Sequence, residues 1–206
     1  MARTLKKANI DRILNEKSIL KGIVLMAIPV FLNNLLKSLH DLVDAVFIAR
    51  MPVESPEMMD SALAALNIHW PIFNLFMALG IGLSIATVSI VSQYLGAGRM
   101  DEAKKYASKL IFLAVIIGLF ISGIFLLASD LVFGFNVFAY LMGARGDALK
   151  FAGEYFRIRS YEFSFVFLFL VYQAVRQASG ETLRPVLLNI SGIFVNIGLT
   201  YLFVNR

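Results

Sequence analysis

The hydrophobic positions of this chain run in long blocks, with the polar residues gathered between them. Residues 61–98, 110–129 and 186–205 hold no Lys, Arg, Asp or Glu. Each block is long enough for a helix to cross a hydrocarbon core of roughly 30 Å at about 1.5 Å per residue. Two further apolar runs carry charges: residues 19–48 hold Lys37, Asp41 and Asp44, and residues 148–177 hold Arg157, Arg159 and Glu162. None of these runs alternates polar with apolar, as the strands of a membrane barrel would. The pattern predicts an all-α, polytopic bundle of five transmembrane helices, at about 19–48, 62–95, 104–129, 148–177 and 184–205, behind a basic tail at 1–18. Residues 131–142 are apolar but too short to span, and are expected to lie at the outer interface.

Composition agrees. Of the 206 residues, 59% are hydrophobic and 16% charged, too little polar surface to clothe a water-soluble globule. The net charge of +5 does not point to nucleic acid, because the cations sit at the ends of apolar runs and not on one amphipathic face. Their distribution predicts orientation instead. Arg3, Lys6, Lys7, Arg12 and Lys17 precede the first span, Arg99, Lys104, Lys105 and Lys109 follow the second, and Arg176 and Arg184 follow the fourth. The other connections are poorer in cations and richer in acids. The amino terminus is therefore expected in the cytoplasm, in a plasma (inner) membrane. A cleaved leader is not expected, since the first run is too long and is interrupted by Lys37 and Asp41. Cysteine is absent from the sequence, which excludes disulfides and thiolate metal sites.

Ionisable groups in a bilayer need a reason to be there. In the first span Asn33, Lys37, Asp41 and Asp44 are spaced four, four and three apart and share one helical face. Lys37 and Asp41 read as an internal ion pair. Asp44 has no cation of its own in that helix, which suits it to exchange a proton or hold a small cation. The fifth span offers Asn189, Asn196 and Thr200, seven and four apart, beside Gly192. Both spans run outward in the expected topology, so Asp44, Asn196 and Thr200 fall at one level and form a hard-oxygen set suited to sodium or a protonated acid. Gln173 in the fourth span either faces the same cavity or bonds a neighbouring helix. Pro29 is expected to kink the first helix and Pro71 the second. Ala78, Gly82 and Ala86 read as a close-packing stripe. Gly96-Ala97-Gly98 and Gly180 with Pro185 mark helix joins.

Certain segments, in order, are Ile28-Pro29, Leu42-Val43-Asp44, Val91-Ser92-Gln93-Tyr94-Leu95-Gly96-Ala97-Gly98-Arg99, Gly180-Glu181-Thr182-Leu183-Arg184-Pro185 and Phe194-Val195-Asn196-Ile197. Together they resemble the multidrug and toxic compound extrusion (MATE) family, over nearly the whole chain. The resemblance implies export of small organic cations driven by inward flow of protons or sodium, with no other cofactor and no catalysis. It implies a fold of twelve helices in two six-helix lobes around a cavity that opens alternately to each side. Asp44 matches the family's acid of helix 1 and Asn196 the asparagine of helix 5; Thr200 stands where many members have a second acid. Ala49-Arg50 replaces a glycine-rich turn. The chain stops after the fifth span, so the expectation is an amino-terminal lobe lacking its sixth helix and the carboxy-terminal lobe as partner, most simply a fragment.

Three other readings compete. A lipid-linked oligosaccharide flippase of the same superfamily would want more cavity cations than Lys37 alone. A membrane cytochrome would use His40 and His69, the only two histidines, as haem ligands. An isolated lobe with a structural or interaction role would fold without binding cations.

Overall fold

The computed structural model describes residues 23–24, 27–28, 31–32, 34–39, 42–43, 46, 56–129 and 133–204. The described residues between 23 and 46 are helical. Six helices follow: α1 (Pro56–Gly96), α2 (Met100–Leu127), α3 (Val137–Leu141), α4 (Gly146–Ser160), α5 (Glu162–Ala178) and α6 (Leu183–Val204). No strand occurs among the described residues. Among the described residues, three helices are long and apolar enough to cross a membrane, over Leu63–Gly96, Met100–Leu127 and Leu183–Leu202; α4 and α5, bent by 44° between them, qualify together as a fourth. The chain forms two compact units, residues 53–174, and residues 1–52 with 175–206.

In the first unit α1 packs most extensively on α4 and α2, and α2 packs on α4. The 18 phenylalanines of the sequence supply much of the filling. Phe125, Phe156, Phe163 and Phe167 are fully buried. Phe125 meets Phe163 at 4.6 Å, Phe138 at 5.0 Å and Phe76 at 5.0 Å between ring centroids, within the range where offset and edge-on rings attract. One side of α2, marked by Ala103, Ala107, Ala114, Gly118, Ile121 and Phe125, is buried. The other, with Phe112, Leu119 and Phe120, is exposed, as a helix between protein and lipid requires.

Two features differ from the sequence expectation. The stripe Ala78, Gly82 and Ala86 faces outward, and a Cβ on Gly82 would meet nothing within 4 Å. The face of α1 that packs carries Phe73, Gly80, Thr87 and Val91 instead, with Leu83 and Ser84 partly buried beside it. Close approach is made at Gly80, whose added Cβ would lie 3.0 Å from Leu170, and at Gly118 of α2, whose Cβ would lie 2.8 Å from the Cα of Ser164. Small residues alone do not say which face they serve.

The run expected as one fourth span is broken at Tyr161. The buried Ser160 hydroxyl donates to the carbonyl of Arg157 at 2.6 Å, a local bond that competes with the helical ladder and bends it. The apolar segment after α2 folds its short helix α3 onto α1 and α4. Asn136 caps it, its side-chain oxygen accepting from the amide of Ala139 at 2.9 Å, and both residues are fully buried.

The glycine joins behave as read. Gly98 (φ 72°) and Gly180 (φ 71°) adopt the left-handed conformation that ends a helix without a Cβ penalty. The amide of Arg99 reaches the carbonyl of Tyr94 at 2.9 Å across the first join, and that of Glu181 the carbonyl of Arg176 at 2.9 Å across the second.

Candidate functional site

The second unit holds most of the polar residues singled out for coupling. On α6, Asn196 is exposed and Thr200 half-buried, and the Thr200 hydroxyl donates to Asn196 Oδ1 at 3.4 Å. Asn189 is half-buried further back on the same helix. Pro29, Asn33, His40, Asp41 and Asp44 lie outside the described residues. Lys37 is described, helical and exposed. Gln173 is half-buried on α5, in the first unit.

An apolar seam organises this unit. Leu36, Leu39 and Val43 face Ile190, Ile193, Phe194 and Ile197 around a cavity of about 170 Å³. The spacings three and four on one side, and three, one and three on the other, each describe a single helical face. At roughly 100° per residue, Asn189, Asn196 and Thr200 sit about a quarter turn to one side of the α6 seam. Lys37 sits roughly a third of a turn to the side of its own seam, in the opposite rotational sense. A polar stripe thus flanks an apolar contact.

Two charged clusters were not legible in the sequence. His69 on α1 is 1% exposed, enclosed by Phe73, Tyr155 and Phe156 at centroid distances of 5.1, 4.8 and 4.8 Å. Its Nε2 accepts from Arg159 Nε at 3.5 Å, which assigns the ring proton to Nδ1, a buried atom with no partner. Arg159 Nη1 bonds Glu162 Oε2 at 2.6 Å, and its guanidinium lies 4.9 Å from the Phe73 ring centre. A metal would have to displace both Arg159 and the aromatic cage to reach His69 Nε2, so this ring as placed does not present a haem ligand. The spacing of three between Arg159 and Glu162 was the available signal; the long-range partner His69 was not.

The second cluster closes the turn between α5 and α6. Glu181 Oε2 accepts from Arg176 at 2.6 Å, and Glu181 Oε1 accepts from Arg184 Nε at 2.6 Å. The Glu181 side chain is only 18% exposed, so two charge-assisted bonds tie this carboxylate to both helices. No group of three or more His, Cys, Asp or Glu suited to a metal occurs among the described residues.

Comparison with known proteins places these features in a family context. A family model described as MatE matches residues 29–202. The multidrug export protein MepA of Staphylococcus saprophyticus is 24% identical over 190 residues, covering 92% of this chain and 39% of that protein. The outward-facing structure of a multidrug resistance MATE family transporter of the MOP superfamily superposes with a TM-score of 0.75 at 27% identity, over 88% of this chain and 38% of that one. A MOP superfamily transporter from Pyrococcus furiosus, described for the reverse polarity of its binding pocket and a suggested different function, gives the same TM-score of 0.75 and identity of 27%. The chain therefore spans about two fifths of the length of the relatives it matches.

Proposed function

This chain belongs to the MatE family, and from that premise we propose that it serves secondary active efflux of xenobiotic organic cations, as an antiporter driven by protons or sodium. The observation that carries the reading is the likeness to multidrug export and MATE relatives across 92% and 88% of the chain. Transport by alternating access needs two halves rocking against each other. The chain covers 38% of the MATE structure, so we assign the rest of the cycle to a second lobe.

The proposed coupling site consists of Asp44, Asn196 and Thr200. Its support is the seam in the second unit. When the segment around Lys37 and α6 run in the same direction, as in the proposed topology, the opposite rotational offsets of Lys37 and of Asn196 with Thr200 bring both polar stripes to the same side of the seam. Asp44, seven residues after Lys37 in the sequence, belongs to the Lys37 face by helical period. The carboxylate holds the proton or ion, while the amide oxygen and hydroxyl complete its shell. Asp41 remains the partner of Lys37, Gln173 a substrate contact, and Pro29 the bend that couples ion occupancy to helix movement. The amino terminus is proposed to be cytoplasmic.

The test is efflux of a fluorescent organic cation by cells expressing this chain joined to a MATE carboxy-terminal lobe (the long form), as wild type and as Asp44→Asn, beside the 206-residue chain alone. Efflux by the long form that is lost in Asp44→Asn at unchanged membrane abundance is the expected result. Ion-dependent efflux that survives Asp44→Asn removes that residue from the coupling site. A wild type that moves lipid-linked oligosaccharide and no cation makes the chain part of a flippase.

A further inference from the structure

The join between α1 and α2 carries a cationic patch that the transport reading does not use. Its charges divide unevenly. Arg99 is bonded to Glu102 through both its Nε and a terminal nitrogen, and Lys104 to Asp101 at 3.3 Å. Lys105 and Lys109 remain, both exposed, and neither has a carboxylate partner among the described residues. They stand four apart on one face of α2, a like-charge spacing that is unfavourable in a helix. An anion held between them removes that cost.

The surroundings are built and not loose. Tyr94 at the end of α1 and Tyr106 at the start of α2 stack with centroids 4.8 Å apart and planes 11° from parallel. Arg99 lies 5.2 Å from the centre of the Tyr94 ring and Lys109 5.6 Å from that of Tyr106. The aromatic pair thereby fixes the two helix ends to each other, with the Lys109 ammonium over the Tyr106 ring. Depth identifies the anion. The uncharged part of α2 starts at Leu110. Lys109 is one residue before it and Lys105 five, about 1.5 and 8 Å along the axis. The headgroup layer of one leaflet is about 5–8 Å thick. Two ammonium groups on flexible stems therefore bracket the level of the lipid phosphates, with two tyrosines at the depth where aromatic rings collect.

We propose that Lys105 and Lys109, backed by the Tyr94–Tyr106 stack, form a binding site for the phosphate headgroup of an anionic phospholipid. A zwitterionic lipid offers the same phosphate with an ammonium attached, which the lysines repel; the site therefore selects net-negative headgroups.

The experiment titrates the whole chain in neutral detergent with phosphatidylglycerol, with phosphatidylcholine and with inorganic phosphate, reading bound ligand by native mass spectrometry. Wild type should retain phosphatidylglycerol in preference to phosphatidylcholine. Lys105→Gln and Lys109→Gln should each weaken it about fivefold, the equivalent of about 1 kcal/mol per cation near an anionic surface. Lys105→Arg with Lys109→Arg should keep it. Arg145→Gln with Lys150→Gln, which removes two positive charges at the start of α4, should leave it unchanged. Equal weakening by that control pair, or undiminished binding in both lysine variants, overturns the site. Inorganic phosphate competing at the same concentration as the lipid overturns the assignment to a lipid.

Discussion

Replacing Gly118 by alanine tests the tightest contact in the first unit. The added Cβ would lie 2.8 Å from Ser164 Cα, 3.0 Å from the Phe163 carbonyl oxygen and 3.3 Å from Phe167 Cβ. Carbon atoms attract best at about 3.5–4.0 Å, so α2 and α5 must part by several tenths of an ångström. Two of the three opposing atoms are backbone and cannot rotate away, which places the cost toward the upper part of the roughly 1–3 kcal/mol usual for overpacking. Separation also stretches the 3.0 Å bond between the hydroxyls of Ser122 and Ser164, worth about 0.6 kcal/mol between membrane helices. Against these stands the helical preference of alanine over glycine, about 0.5–1 kcal/mol. The net expectation is destabilisation by about 1.5–3 kcal/mol, roughly a ten- to 150-fold fall in the folded ratio. Gly123, five residues on in the same helix, is the control: its Cβ would meet nothing within 4 Å, so Gly123→Ala should stabilise by about 0.5 kcal/mol. Unfolding of the chain by graded addition of a denaturing detergent to mild micelles, followed by helical circular dichroism, measures both. If Gly118→Ala is as stable as Gly123→Ala, α2 and α5 do not meet at this glycine.

Three further outcomes follow from the geometry. His69→Phe should be neutral or stabilising in the same assay, because the buried Nδ1 hydrogen has no acceptor to lose and the bond that Nε2 accepts from Arg159 is long at 3.5 Å, whereas Arg159→Met should cost about 1–3 kcal/mol by removing the ion pair of Arg159 with Glu162 at partial burial; the reverse order would show that His69 is the member that holds the cluster. Glu181→Gln weakens both bonds that restrain Arg176 and Arg184, and trypsin cleavage after Arg176 should speed up several-fold, the Arg184–Pro185 bond being resistant to trypsin; an unchanged rate would mean the turn is held by its backbone bonds alone. The absence of native cysteine allows clean cross-linking of the seam. The pairs Leu36→Cys with Ile190→Cys, and Val43→Cys with Ile197→Cys, should cross-link in the parallel arrangement, while Leu36→Cys with Ile197→Cys should not; the opposite result makes the two segments antiparallel and separates the polar stripes.

Much of this protein could be read from the order of its residues. Long uncharged blocks dictate helices, because a backbone in hydrocarbon must satisfy every amide and carbonyl within its own segment. Gly98 and Gly180 announced the joins, because only glycine takes the left-handed conformation there without strain. The family, too, lay in motifs local enough to recognise in order. What sequence could not decide was rotation about each helix axis. Ala78, Gly82 and Ala86 are small and regularly spaced, yet face outward, because in lipid the outward face is as apolar as the core and hydropathy does not distinguish them. The tertiary structure chose Gly80 and Gly118 instead, where α5 supplies Phe167, Leu170 and Ser164. Likewise, Arg159 and Glu162 are legible as a local pair, but ninety residues separate Arg159 from His69, and only packing α4 on α1 brings them to 3.5 Å. Periodicity sets which residues share a face; the neighbouring helix sets which face is used.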